Sequence, residues 1–307
     1  MVLTAIVLYT AHPYEVVRAT ADASVAWLTA AVALVVVDRS LMALRWIDLL
    51  VALTPGSRPP FTRVLRIFFV SSFVSNFVPS VAADMYRAYA LARCDVHLAE
   101  STASVLMDRV LGVLSMVIVG ACALPFARDL GIANGLLIAL SIAFAACAVA
   151  GLIVFSERAS AAFLRMIQIV PLAIARRAAG SLTEAVRRYS RHHGALARVL
   201  IMSIAVQAIR IVQAWCLGEA LGIELSLAVY FAAVPVILLI MQIPVTINGL
   251  GTTQVAFVSL LVPSGADAAR ATALSLLFLA LGLIGTLPGG IIYVFADQSE
   301  PRGAQPS

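Results

Sequence analysis

Residues 71–87 read "SSFVSNFVPSVAADMYR", a proline-centred polar stretch set in a chain that is otherwise close to continuous hydrocarbon. A second break, residues 242–254, reads "QIPVTINGLGTTQ". Unpaired backbone and buried charge are both costly in a bilayer, so interrupted segments persist only where they are buried in protein or line a watery cavity. One break in each half of the chain points to a membrane transport or flipping site.

Composition sets the frame for those breaks. The chain has 307 residues, 62% of them hydrophobic and 12% charged, with a mean hydropathy of +1.00, far outside the range of soluble domains. Ala, Val, Leu and Ile dominate in long stretches without alternating polarity, so the spans are expected to be helices and the fold class all-α, a polytopic integral membrane protein. Net charge is +5 and every basic residue is arginine. The absence of lysine removes Schiff-base chemistry. The arginines collect in an inter-helix loop, as the positive-inside rule expects, and this disfavours a nucleic-acid partner. Cys94, Cys122, Cys147 and Cys216 lack a Cys-x-x-Cys spacing, and His12, His97, His192 and His193 are not placed for zinc. No metal and no cofactor are expected.

Spans are expected at Ser24 to about Ile47, Ser101–Phe126, Gly131–Phe155, Ala197–Leu221, Leu225–Ile243 and Ala268–Phe295, about six full transmembrane helices. Phe68–Pro79 and Gly249–Val262 are too short to cross and fit half-helices or re-entrant hairpins. Met1–Thr10 is apolar without a basic n-region, which fits a short first helix better than a signal peptide. The whole of 1–296 is expected to form one transmembrane domain. Its halves, about 1–155 and 197–296, are joined by the basic segment 156–196, and 297–307 is a short polar tail. The stretch from Glu157 to Arg198 carries eight arginines, so it should be cytoplasmic, and Arg39, Arg45, Arg58, Arg63 and Arg66 put the end of the second segment on the same side. Both termini then fall in the cytoplasm. Segment 158–198 reads equally as an interfacial amphipathic helix or as a solvated linker. The order of span, proline, polar turn and short apolar element occurs in both halves, as in inverted-repeat transporters.

Four groups of residues can carry chemistry. Pro79 turns the chain, Ser80 can cap the helix that follows, and Asp84 and Arg87 lie at i and i+3 on its surface, either facing a headgroup or forming a local ion pair. Asp108 and Arg109 lie roughly 12 to 14 Å into their helix and point about 100° apart, so each needs a partner elsewhere. The economical pairing is Arg109 with Asp84 and Asp108 with Arg87. Arg210, about 20 Å into its span with Gln207 and Gln213 a turn away, should face the bundle interior, where its guanidinium suits a phosphate or carboxylate. In the second break Gln242 and Pro244 end a span, Asn248-Gly249 makes a turn, and Gly251 permits close approach of another segment. Thr252 or Thr253 then caps a half-helix carrying Gln254, whose N-terminal amides can attract an anion. No catalytic triad, nucleophile elbow or acid/base carboxylate pair is visible, so an enzyme is not expected.

The segments "FFVSSFVSNFVPSVAADMYRAYALAR", "ASVLMDRVLG" and "PVTINGLGTTQVAF" stand in an order that resembles the flippase-like family of the lysylphosphatidylglycerol synthase transmembrane region. The similarity runs from about Arg45 to Phe295. It implies handling of a polar-headed lipid at the bacterial cytoplasmic (inner) membrane, without the attached synthase domain. Two departures stand out. Ala82 and Ala83 replace the family's paired glycine, and Gln254 stands near the place of a carboxylate, which argues against ion coupling there. The expected activity is that of a flippase or transporter for a phospho- or glycolipid, with membrane lipid as partner. The alternative is a non-transporting scaffold for a lipid- or glycan-modifying membrane enzyme, with that enzyme as partner; either reading leaves room for an oligomer.

Overall fold

The computed structural model describes residues 13–54, 60–78, 80–93, 96–129, 180, 184–185, 187–189, 192–241 and 251–296. Among these residues there are ten helices longer than a turn or two and no strand. They are α1 (Pro13–Ala21), α2 (Val25–Leu53), α3 (Phe61–Val74), α4 (Ser80–Ala92) and α5 (Leu98–Asp129), then α6 (His193–Ala220), α7 (Leu227–Met241), α8 (Thr252–Leu261), α9 (Ala268–Ile284) and α10 (Leu287–Ala296). An all-helical chain follows from its solvent, because a segment in hydrocarbon must satisfy its own backbone.

Among the described residues, four stretches are long and apolar enough to cross a membrane: Val25–Leu53, Leu98–Ala123, His193–Ala220 and Ala268–Phe295. The protein is therefore a multi-pass membrane protein. The expected span Gly131–Phe155 and the basic segment beyond it lie almost wholly outside the described residues, as does Met1–Thr10. The expected span Leu225–Ile243 is represented by α7, whose 15 residues rise about 22 Å. Residues 232–238 of α7 are buried in succession, so this helix is wrapped by protein on every side. Pro235 sits inside it and gives up one backbone hydrogen bond.

The centre of the molecule is the antiparallel pairing of α2 with α6. Ser24 N–H, just before α2, donates to the Ala220 carbonyl at the end of α6 at 2.9 Å, and Trp27 meets Trp215 edge to face at 5.2 Å. Further along, Arg210 reaches Asp38, Ser203 reaches Arg45, and Arg198 grips Asp48 through two hydrogen bonds of 2.9 and 3.0 Å. α2 runs on to Leu53, past the Ile47 end expected from hydropathy. The buried Tyr189 hydroxyl donates to the Leu49 carbonyl in that extra stretch at 2.8 Å. Burial, and then the carboxylates of Asp108 and Asp48, push the Tyr189 phenol well above its usual value, so it remains a donor.

The breaks take definite forms. α3 starts at Phe61, earlier than expected, and ends in a run of turns whose Asn76 side chain donates to Thr286 Oγ1 at 2.8 Å. Gly251 has φ 92°, a left-handed angle that disfavours any side chain, and it forms the N-cap of α8 in place of the expected Thr252 or Thr253. Gln254 Oε1 accepts the Gly251 N–H at 2.6 Å, the reach-back half of a capping box. The last expected span, Ala268–Phe295, divides at Gly285 and Thr286 into α9 and α10. α10 then crosses α3 so closely that a Cβ on Gly289 would collide with the Phe69 carbonyl, and one on Gly290 would lie 2.7 Å from the Phe73 ring.

That crossing yields a stability prediction. Gly289→Ala meets backbone, which cannot yield, and should cost about 1–3 kcal/mol. Gly282→Ala, one turn before the break, meets nothing within 4 Å and should be neutral or mildly stabilising. Thermal unfolding of both variants in the same detergent reads the difference; equal melting temperatures would mean that the crossing is looser than described.

Candidate functional site

Between α2, α3, α4, α5, α6 and the α9–α10 break lies a cavity of about 270 Å³ lined by charge. Five arginines contribute to its wall (Arg39, Arg45, Arg87, Arg109 and Arg210) against three aspartates (Asp38, Asp84 and Asp108). The excess of two positive charges is held among hydroxyls and amides of Ser71, Ser72, Ser75, Asn76, Gln207 and Gln213. Asp38 lies about 20 Å along α2 and Arg210 about 25 Å along α6, well inside helices long enough to span the membrane. Charges at such depth are tolerated only on an inner wall, paired or wetted.

Three carboxylates organise the wall. Asp108 on α5 accepts from Arg45 Nε of α2 at 2.7 Å and stands 3.7 Å from Arg87 Nη1 of α4. Arg45 also donates to Ser203 Oγ at 3.1 Å, while Arg87 Nε donates to Ser71 Oγ at 3.1 Å. The Arg87 guanidinium lies 5.1 Å from the ring centroids of both Trp46 and Phe68, cation–π contacts that hold it away from hydrocarbon. Asp84 on α4 takes a two-pronged grip from Arg109 on α5 at 2.8 and 2.9 Å, the strong bidentate geometry. Asp38 on α2 is shared by Arg210 at 3.2 Å and its neighbour Arg39 at 3.7 Å. The Arg109 and Asp84 side chains are 41% and 20% exposed, whereas those of Arg45, Arg87 and Asp108 are all below a tenth. The cavity thus has an accessible charged edge at Asp84–Arg109 and a dense ion-paired interior beside it.

Of the residues expected from sequence, Asp84, Arg87, Asp108, Arg109 and Arg210 all reach this one cavity. The Arg109–Asp84 pair is made as expected. The Asp108–Arg87 pair is the longer of two, because Arg45 takes Asp108 at 2.7 Å. No Asp84–Arg87 ion pair forms on α4, since each side chain has turned to α5. Arg39 and Arg45, expected only to set orientation, are cavity residues, and Asp38 was not expected at all. A signal for them was present: Asp38-Arg39 inside "VVVDRSLMALRWI" repeats the mid-span Asp-Arg pattern of Asp108-Arg109.

The second break departs from expectation. Gly251 and Gln254 do not line the cavity; they head α8, which packs on α7 and α9. Gly251 is called for by its own left-handed backbone angle. Pro79, Gln242, Pro244, Asn248 and Gly249 lie outside the described residues, and Ser80 is placed only as the first residue of α4. Among the described residues, the α9–α10 turn at Thr286 meets the first break at the cavity.

Comparison with known proteins accords with this architecture. A family model described as the lysylphosphatidylglycerol synthase TM region matches residues 1–289. The chain belongs to that family. Neither a curated protein nor a solved structure shows significant similarity to it. Membership accounts for the multi-pass helical fold and links the chain to lipid-related processes.

The two aspartates of the α4–α5 interface differ sharply in burial, and their variants should differ in the same order. Asp108→Asn leaves the buried Arg45 without its near carboxylate and should cost about 3–5 kcal/mol. Asp84→Asn acts on a partly exposed pair and should cost about 1 kcal/mol or less. Denaturant unfolding in micelles measures both. Reversal of the pair (Asp84→Arg with Arg109→Asp) should recover most of what either single change loses.

Proposed function

We propose that the protein moves a polar-headed lipid across the bacterial cytoplasmic membrane as a flippase or transporter. The observation that carries this reading is the charged, partly open cavity set deep among helices that otherwise face hydrocarbon. A headgroup crossing a bilayer must find, in place of water, hydrogen-bond partners along its path. Guanidiniums from α2, α4, α5 and α6, interleaved with serine and amide side chains, are partners of that kind. The acyl chains would stay in the surrounding lipid while the headgroup passes along the wall from the accessible Asp84–Arg109 edge. The path therefore runs between the first break and the α9–α10 turn, and α8, outside the cavity lining, packs on α7 and α9.

Orientation belongs to the same proposal. The arginines of segment 158–198 place the Leu53 end of α2 and the His193 end of α6 in the cytoplasm. No covalent step is assigned to the cavity, whose lining holds arginines, carboxylates, amides and hydroxyls; movement needs only their exchange of partners.

Reconstitution tests the proposal. Purified protein in liposomes with fluorescently labelled phospholipids should raise the rate at which label becomes accessible to an external quencher at least tenfold over empty vesicles. Asp84→Asn with Arg109→Gln, which strips the accessible edge of charge, should return the rate to background while the protein still folds. If no labelled lipid moves faster than in empty vesicles and the protein instead copurifies with a lipid- or glycan-modifying enzyme, a scaffold role replaces transport.

A further inference from the structure

At the α2–α6 side of the cavity the donors outnumber the acceptors. Arg210 Nε donates to Asp38 Oδ1, and Arg39 Nε lies 3.7 Å from Asp38 Oδ2 without making a hydrogen bond. The remaining contacts are poor for two cations. Arg210 Nη2 and Arg39 Nη1 both turn to the Met42 sulfur, at 3.2 and 3.7 Å, and Arg39 Nη2 reaches the Gly282 carbonyl at 3.3 Å. A thioether is a weak acceptor, so two guanidiniums that share one carboxylate and one sulfur remain under-supplied. The other two cavity aspartates are already held, Asp84 by Arg109 and Asp108 by Arg45 and Arg87.

A second, independent observation lies one turn along α6. Gln213 lines the same cavity, is only 5% exposed, and its Nε2 has no hydrogen-bond partner among the described residues. A buried amide left unpaired is costly, and natural proteins keep such groups chiefly where something else satisfies them. What this group of donors lacks is an oxyanion.

Resting on the transport reading above, we propose that Arg39, Arg210 and Gln213 form a subsite for a single phosphate-type anion, which selects lipids with an anionic headgroup. Planar guanidinium forks match the oxygens of a phosphate, and the amide adds a neutral donor. The two surplus positive charges of the cavity favour a headgroup with net negative charge over a zwitterionic one.

The subsite is tested by binding in dodecyl maltoside, a phosphate-free detergent. Thermal shift with added phosphatidylglycerol should show saturable stabilisation, phosphatidylcholine should bind at least about tenfold more weakly, and diacylglycerol should give no shift. Soluble glycerol 3-phosphate separates the sources of the anion: a weaker shift than the lipid's supports a lipid headgroup site, and a shift equal to or larger than the lipid's overturns selection of lipids. Arg210→Gln and Gln213→Leu should each weaken phosphatidylglycerol binding by about tenfold or more, the usual loss when a hydrogen bond to a charged group is removed. Arg198→Gln, on an ion pair outside the cavity, should leave it unchanged. Gln213→Leu adds a readout that a merely structural residue would not give, since removing an unpaired buried amide should raise the melting temperature without lipid while weakening the lipid. Wild-type affinity in both Arg210→Gln and Gln213→Leu would overturn the subsite. Binding that follows this pattern without any lipid movement in liposomes would leave the subsite standing and remove transport; movement unaffected by either substitution would do the reverse.

Discussion

The rest of the structure depends on how two long apolar helices, α2 and α6, hold one register. In lipid, apolar side chains gain nothing hydrophobic by leaving one apolar surface for another, so close packing and polar contacts must set the alignment. Here Asp38 meets Arg210, Arg45 meets Ser203, and Asp48 meets Arg198, in steps that run oppositely along the two chains. A slip by one turn would separate all three at once and strand buried charge in hydrocarbon. The cost of that slip, more than the strength of any single pair, makes the register unique.

From that pair the other walls are hung by the same kind of contact. α5 attaches to α2 through Arg45–Asp108, α4 to α5 through Asp84–Arg109 and Arg87–Asp108, and α3 to α4 through Ser71–Arg87. The side chains that hold the helices together are therefore those that line the cavity. Under the proposed function an entering anion competes for guanidiniums already engaged, and it does so most easily where their partners are weakest, around Met42. Structural support and recognition are carried by one set of residues at different degrees of saturation.

Much of this was legible before any coordinates. A deeply placed Asp-Arg dipeptide cannot satisfy itself on a helix, which leads directly to partners elsewhere, and Asp84 and Arg109 were paired correctly on that ground. Pairing Asp108 with Arg87 is the economical way to tie the broken segment to the next span; the nearer partner, Arg45, comes from a helix whose arginines look purely topogenic. Counting Arg39 among the arginines that mark one end of its segment hides Asp38 beside it, although α2 runs from Val25 to Leu53 and places the pair near mid-span. The second break misled for a different reason. Its glycine and glutamine serve a helix cap, with Gly251 in a left-handed angle and Gln254 folded back on its amide, and a polar interruption reads alike whether it caps a helix or lines a cavity. The α9–α10 break passed unseen within an apolar run, because Gly285 and Thr286 interrupt it without any charge.

Local chemistry, which the sequence states outright, determined the helical class, the membrane as solvent, the first break, and the need of Asp84, Arg87, Asp108, Arg109 and Arg210 for inward-facing partners. Each follows from a cost counted residue by residue: backbone unpaired in lipid, charge unpaired at depth. Tertiary structure decided who met whom. The antiparallel register of α2 and α6 brought Asp38 to Arg210 and Arg45 beside Asp108, and the crossing of α10 over α3 set Thr286 opposite Asn76. Those choices turn on the packing of helices far apart in the chain, where the close fit of Gly289 and Gly290 against α3 selects one arrangement among several with equal hydropathy.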